Sequence, residues 1–215
     1  MKYDRIIVGP LEVNCYLVYD EDSKEGIIID PGGDPNVIKN RVEALGMKPV
    51  AIVNTHTHVD HIGANADMKE AYPEAELMVP EKDLPLFQAP KNPMLVMMCR
   101  AKQSPEPDRL LKEGDEITFG KEKLTVIETP GHTIGSICLY SEDAKVLFTG
   151  DTLFAGSIGR TDLPFSSEAD LFRSVPRKIF VLPEDVEVLP GHGPSSTVGR
   201  EKRFNPFFSG GNLII

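Results

Sequence analysis

Four short apolar runs in this sequence end in the same kind of punctuation. VAIVN at 50–54 leads into Thr55-His56-Thr57-His58-Val59-Asp60-His61, and LTVIET at 124–129 leads into Pro130-Gly131-His132. KVLFT at 145–149 leads into Gly150-Asp151, and VEVL at 186–189 into Pro190-Gly191-His192. These stops hold all five histidines of a 215-residue chain. Short runs rich in Val, Ile and Thr read as strands. Three of the four stops place glycine directly before the first metal-type side chain, which permits a sharp exit over the sheet edge. Ligands of layered α/β folds gather beyond the carboxyl ends of strands. A fold that uses these residues must therefore bring four strand ends to one edge.

What would meet there is five imidazoles and two carboxylates: His56, His58, His61, His132, His192, Asp60 and Asp151. Imidazole suits zinc, iron or manganese, and a carboxylate can bridge two cations. His56 and His58 lie two apart on an extended segment, so both can face one way. Asp60 and His61 are expected at the start of the next helix, over 62–72. The set divides into His56, His58 and His132 for one ion, with Asp60, His61 and His192 for a second and Asp151 between them. Two divalent cations are expected, zinc first and iron or manganese as alternatives. They would share and activate one hydroxide at neutral pH, with Asp60 and Asp151 as catalytic residues that orient it. Three histidines and an aspartate within seven residues have no packing use. A purely structural zinc, closed by four ligands, would not need seven.

The remaining sequence reads as strands with helices between them, hence a layered α/β domain. Strands are expected at 6–8, 13–19, 26–30, 116–119, 123–129, 136–140, 145–150 and 186–190. One helix begins with Asp34 as N-cap and Pro35 at its first position, ends at Gly46, and buries Ile38, Val42 and Leu45. Another begins at Ser167, spaced with Asp170 as a capping box, with Leu171, Val175 and Ile179 in register; Pro176 lies inside it, so a kink or an early stop is expected. Residues 88–109 hold four prolines and Met94, Met97 and Met98; a packed helix is expected there rather than a flap over the site. No repeat or linker divides the chain, so residues 1–215 are expected to form one domain.

With 33 acidic against 23 basic residues, the net charge is −10. That argues against nucleic acid and anionic membrane as partners, since both require a basic footprint. No apolar run approaches the ~20 residues of a membrane span. The N-terminus turns polar too early for a signal peptide, so a cytoplasmic location is expected. Three widely spaced cysteines do not make a disulfide framework; Cys15 and Cys138 read as inert core thiols. The tail 204–215 carries three phenylalanines and is expected to pack on its own domain or on a second subunit in a homodimer.

The order His-x-His-x-Asp-His, Gly-His, Gly-Asp, Gly-His resembles the metallo-β-lactamase fold superfamily, from about Asn14 to Asn205. The resemblance implies a four-layer αββα sandwich with a two-metal site at one edge of its sheets. Asp30-Pro31-Gly32-Gly33, Pro130-Gly131-His132-Thr133, Gly150-Asp151-Thr152-Leu153-Phe154 and Pro190-Gly191-His192-Gly193-Pro194 make the chain similar to small glyoxalase II-like hydrolases. Gly156-Ser157-Ile158-Gly159-Arg160-Thr161-Asp162 belongs to the same likeness. It implies a metal-dependent hydrolase that cleaves a small-molecule acyl-thiol such as S-lactoylglutathione through a metal-bridging hydroxide. Arg160 falls where that group uses Lys or Arg to bind the glycine carboxylate of glutathione. Thr161 and Asp162 stand where aromatic residues are expected, and only 23 residues follow His192, where longer members add a helical thiol-binding domain. A mono-iron persulfide dioxygenase of the same fold, and a lactonase or other ester hydrolase, are the alternative readings.

Overall fold

Alternate residues of the central strands go to opposite sides of two sheets, and both sides are covered. The computed structural model describes residues 1–209. The first sheet is β1 (Lys2–Val8), β2 (Val13–Tyr19), β3 (Glu25–Ile29), β4 (Lys48–Val53), β5 (Glu76–Pro80) and β6 (Arg109–Leu111), in that spatial order. β1 to β3 run antiparallel, whereas β3 to β6 are parallel. The second sheet contains β7 (Glu116–Phe119), β8 (Glu122–Glu128), β9 (Ile137–Ser141) and β10 (Val146–Gly150). A small hairpin follows, β11 (Leu153–Phe154) with β12 (Ser157–Ile158), and then β13 (Glu187–Pro190) and β14 (Ser196–Thr197) complete the second sheet. Its spatial order is β14-β13-β10-β9-β8-β7.

Tyr16, Val18, Ile27, Ile29, Ala51 and Val53 face inward and meet Val126, Leu139, Val146, Phe148 and Leu189 of the other sheet. Their neighbours Leu17, Ile28 and Ile52 point outward onto Ile38 and Val42 of α1 (Pro35–Leu45). On the far side, Cys138, Leu147 and Val188 pack under Leu171 of α6 (Glu168–Ser174) and Val198 of α7 (Val198–Phe204). The result is helix, sheet, sheet, helix, the four-layer αββα order. Fully burying one such aliphatic or aromatic side chain is worth about 1.5–3 kcal/mol, so these three clusters hold the layers together. Between α1 and α6 the chain also forms α2 (Val59–Ile62), α3 (Asn65–Ala71), α4 (Leu84–Gln88) and α5 (Pro93–Cys99).

Three expectations need correction, and one is borne out. The helix expected over 62–72 is broken into α2 and α3. Gly63 passes so close to the Pro31–Gly32 turn that a Cβ would lie 2.4 Å from the Gly32 carbonyl oxygen, and the Ala64 N–H donates to the Pro31 carbonyl. Docking on that turn outweighs helix continuity. Asp34 precedes α1 but does not cap it with its side chain; its Oδ2 accepts from the Gly9 N–H at 2.8 Å. At Pro176 the expected interruption is present: the α-helix begun at Ser167 ends at Ser174. The chain widens into a five-residue turn, Val175–Ile179, closed by the Phe180 N–H on the Val175 carbonyl, and Val175 and Ile179 stay buried. Within 88–109, α5 is a helix but not a packed methionine face: Met94 and Met97 are 71% and 75% exposed, and Cys99 is its buried contact.

Cys15, Cys99 and Cys138 are all buried and free. Phe208 packs on Phe172 and Phe180, while Phe204 and Phe207 are exposed; residues 210–215 of the tail lie outside the described residues. Among the described residues no helix is long and apolar enough to cross a membrane.

Candidate metal centre

The two sheets are stitched together at the edge where the four strands end. The Asn14 N–H donates to the Gly191 carbonyl, and Asn14 Nδ2 and the Tyr16 hydroxyl both donate to the Pro190 carbonyl. The Ile137 N–H donates to the Thr55 carbonyl. The glycines before the ligands do two different jobs. Gly131 and Gly150 take left-handed φ values of 152° and 46°, which turn the chain sharply. Gly191 is needed for space: a Cβ there would lie 2.3 Å from Asp151 Oδ1 and 2.8 Å from His61 Cε1.

All seven residues expected from the sequence come together. Donor atoms of His56, His58 and His132 lie within 4.8 Å of one another, as do those of Asp60, His61 and His192. Asp151 lies between: its Oδ1 is 3.4 Å from His61 Nε2, and its Oδ2 is 3.6 Å from both His132 Nε2 and His192 Nε2. His192 Nε2 is also 3.6 Å from Asp60 Oδ2. Such separations are too long for good hydrogen bonds. They match two ligands of one tetrahedral cation, which at bond lengths of 2.0–2.2 Å lie roughly 3.3–3.6 Å apart. His56 Nε2, His61 Nε2 and Asp151 Oδ1 are buried without any hydrogen-bond partner. Buried polar atoms are almost always paired, so three that converge unpaired fit a bound cation.

The far side of the rings explains why these nitrogens are free. His61 Nδ1 is 3.0 Å from Asp30 Oδ2, and the Thr55 hydroxyl donates to that same oxygen at 2.7 Å. His56 Nδ1 rests on Thr55 Oγ1 at 3.1 Å, and His132 Nδ1 on the Arg160 carbonyl at 2.8 Å. With Nδ1–H committed to an acceptor, each ring turns its Nε2 lone pair inward. Asp30 thus orients one histidine from each trio. Its position at the end of the strand run at 26–30 was visible, but an aspartate followed by Pro-Gly-Gly reads equally as the start of a turn. Arg160 enters the centre by its carbonyl; its exposed guanidinium forms a two-point pair with Asp162 at 2.7 and 2.8 Å.

The electrostatics separate the two trios. Burial, and then the facing imidazoles, push His56 well below the ordinary histidine range. Burial and His132 bring His58 down to about 4. Burial also opposes charge on His61, but Asp151, Asp30 and Asp60 outweigh it and hold this ring well above the usual value. His192 is likewise raised, against burial, by Asp60 and Asp151.

An αββα sandwich with a trio of histidines and a trio of two histidines and an aspartate at one edge defines a protein that uses divalent metal. The profile of the metallo-beta-lactamase superfamily matches residues 8–198, and the chain belongs to that superfamily. It is 35% identical over 210 residues to the hydroxyacylglutathione hydrolase GloC of Haemophilus influenzae, covering 97% of this chain and 99% of that one. Its fold is similar to the BLEG-1 B3 metallo-beta-lactamase, with TM-score 0.89 and 36% identity over 97% of this chain and 100% of that one. A structure of TTHA1623 in a di-iron-bound form has TM-score 0.83 and 37% identity, covering 95% and 99%. Superfamily and relatives together make the chain a metal-dependent hydrolase.

Proposed function

We propose that this hydrolase cleaves the thioester of a small acyl-thiol, of the S-lactoylglutathione kind, at a centre of two divalent cations. The observation that carries the two-ion reading is the pair of three-residue donor groups with Asp151 facing both. Similarity to GloC along nearly the whole of both chains supports the thioester. His56, His58 and His132 would hold one ion, Asp60, His61 and His192 the other, with Asp151 shared; imidazole and carboxylate donors suit zinc and also iron. When bound, paired cations acidify water to near neutrality and polarise an acyl carbonyl.

The chain supplies the rest. His56 and His61 are fully buried at the base, whereas His58, Asp60 and His192 are only partly covered, so substrate approaches past these three. Asp60 and Asp151 accept hydrogen bonds from the attacking water and direct its lone pair. A thiolate leaves without a strong general acid, which accords with all five histidines being committed to the donor groups. Arg160 would receive a carboxylate of the thiol carrier. Its pair with Asp162 is exposed on both sides, and such pairs are weak in water, so an incoming carboxylate can take Asp162's place.

The test is metal analysis of purified protein beside turnover of S-lactoylglutathione, a cephalosporin and a lactone. Two equivalents of metal with thioester cleavage as the fastest reaction is the expected result. Faster cephalosporin opening would instead follow the likeness to BLEG-1, and one iron with oxygen uptake on a persulfide would replace hydrolysis by dioxygenation.

A further inference from the structure

Asp30 stands behind His56 and His61, whereas of the other two rings of the first trio His132 rests on the Arg160 carbonyl and no carboxylate stands behind either. His58 Nδ1 faces His132 Nε2 at 2.9 Å, and the two residues come from different sheets. His58 follows β4, and His132 follows β8. Something has to hold these two loops in register.

A fully buried carboxylate does so. Asp83 lies in the single turn Glu81–Asp83 that follows β5, with no exposed surface. Its Oδ2 accepts from the Thr57 N–H at 2.7 Å and from the Thr57 hydroxyl at 3.1 Å. Its Oδ1 accepts from the Gly135 N–H at 3.1 Å. Thr57 lies between His56 and His58, and Gly135 is in the turn that follows His132. Contact at the second loop is so close that a Cβ on Gly135 would lie 2.2 Å from the Asp83 nitrogen. The carbonyl of Thr57 is held as well, by half-buried Lys91, whose Nζ donates to it at 3.2 Å and to the Leu86 carbonyl at 2.5 Å. Every polar group of Thr57 is therefore tied down on the side away from the trio. A residue between two ligands on an extended segment must point away if both ligands are to face one ion.

We infer that Asp83 is a positioning residue for the His56, His58 and His132 site, bridging the two loops that carry them, with Lys91 as its partner at Thr57. Burying a carboxylate is unfavourable, and burial raises the pKa of Asp83. Three donors on two separate loops offset that cost, and charge-assisted hydrogen bonds hold geometry more tightly than neutral ones. Loss of a group that orients metal ligands typically costs 10–100-fold in metal affinity.

The experiment is zinc competition against a chromophoric chelator on wild type and Asp83→Asn, which keeps the shape but turns an NH₂ toward one of the three donors. One of two zinc equivalents should weaken roughly 10–100-fold while the other stays within about twofold. In cobalt-substituted protein, the shifted ring protons of His58 and His132 should move and those of His192 stay. Unchanged affinities, or both equivalents weakened alike, would overturn the assignment. So would a variant that loses thermal stability without metal yet binds both ions as tightly as wild type. If Asp83→Asn does not fold, Lys91→Met takes its place: selective weakening of one equivalent supports the clamp, and none refutes it. The inference rests on the two-trio reading of the centre and not on the substrate. Wild type that binds fewer than two equivalents would defeat that reading, whereas two equivalents with an indifferent Asp83→Asn defeats only the role of Asp83.

Discussion

Asp151→Asn should lower kcat/KM on the thioester by roughly 10²–10³-fold or more, at least the scale of losing one preorganised polar group that stabilises a transition state, in a protein that stays folded. Asp151 is the side chain that reaches both trios, with Oδ1 toward His61 and Oδ2 toward His132 and His192. Burial works against its charge, yet His61 and His132 hold its carboxyl far below the usual range. It is therefore an anion at every working pH. The amide has the same size and none of the charge, so a change in shape cannot account for the loss. Steady-state kinetics and metal content, with circular dichroism to confirm the fold, check this. An amide variant with full turnover and two bound ions would remove Asp151 from the centre.

Stripping the metal should abolish turnover and markedly lower the melting temperature. A cation present at a thousandfold excess over its Kd stabilises the folded state by about 4.1 kcal/mol. For a chain of 150–250 residues each kcal/mol is worth about 2–4 °C, so loss of one ion costs roughly 8–16 °C. The metal-free site also keeps its penalties, since His56 Nε2, His61 Nε2 and Asp151 Oδ1 are left buried with no partner. Thermal melts before and after chelation, with zinc added back, check the prediction. A melting temperature indifferent to chelator would mean that these residues do not hold a cation.

Much of the centre was legible because coordination restricts residue type. His56, His58, His61, His132 and His192 stand out in any reading, and their positions after β-branched runs already place them at strand ends. The strands were legible too: when every residue of a run is apolar, as in Ala51, Ile52 and Val53, both faces must be covered, and they are. Other features left no local trace. The break between α2 and α3 comes from the Gly32 carbonyl, which lies about thirty residues earlier in the chain. The exposed face of α5 carries methionines that sequence alone assigns to a core. Asp83 carries no signal in the sequence and Asp30 shows only as the end of a strand run before Pro-Gly-Gly, until the partners Thr55, His61, Thr57 and Gly135 are seen beside them.

By itself, then, the amino-acid sequence determined which metal-type side chains gather at one sheet edge, which strands are buried on both sides, and where each strand stops. These depend on residue chemistry and on patterns only a few residues long. The tertiary structure alone decided which nitrogen of each imidazole faces into the cluster, which carboxylates lie within it and which stand behind its rings, and how two loops from separate sheets meet. Those depend on distances between segments remote in the chain, and hydrogen-bond geometry across such distances is not encoded in any single stretch of it.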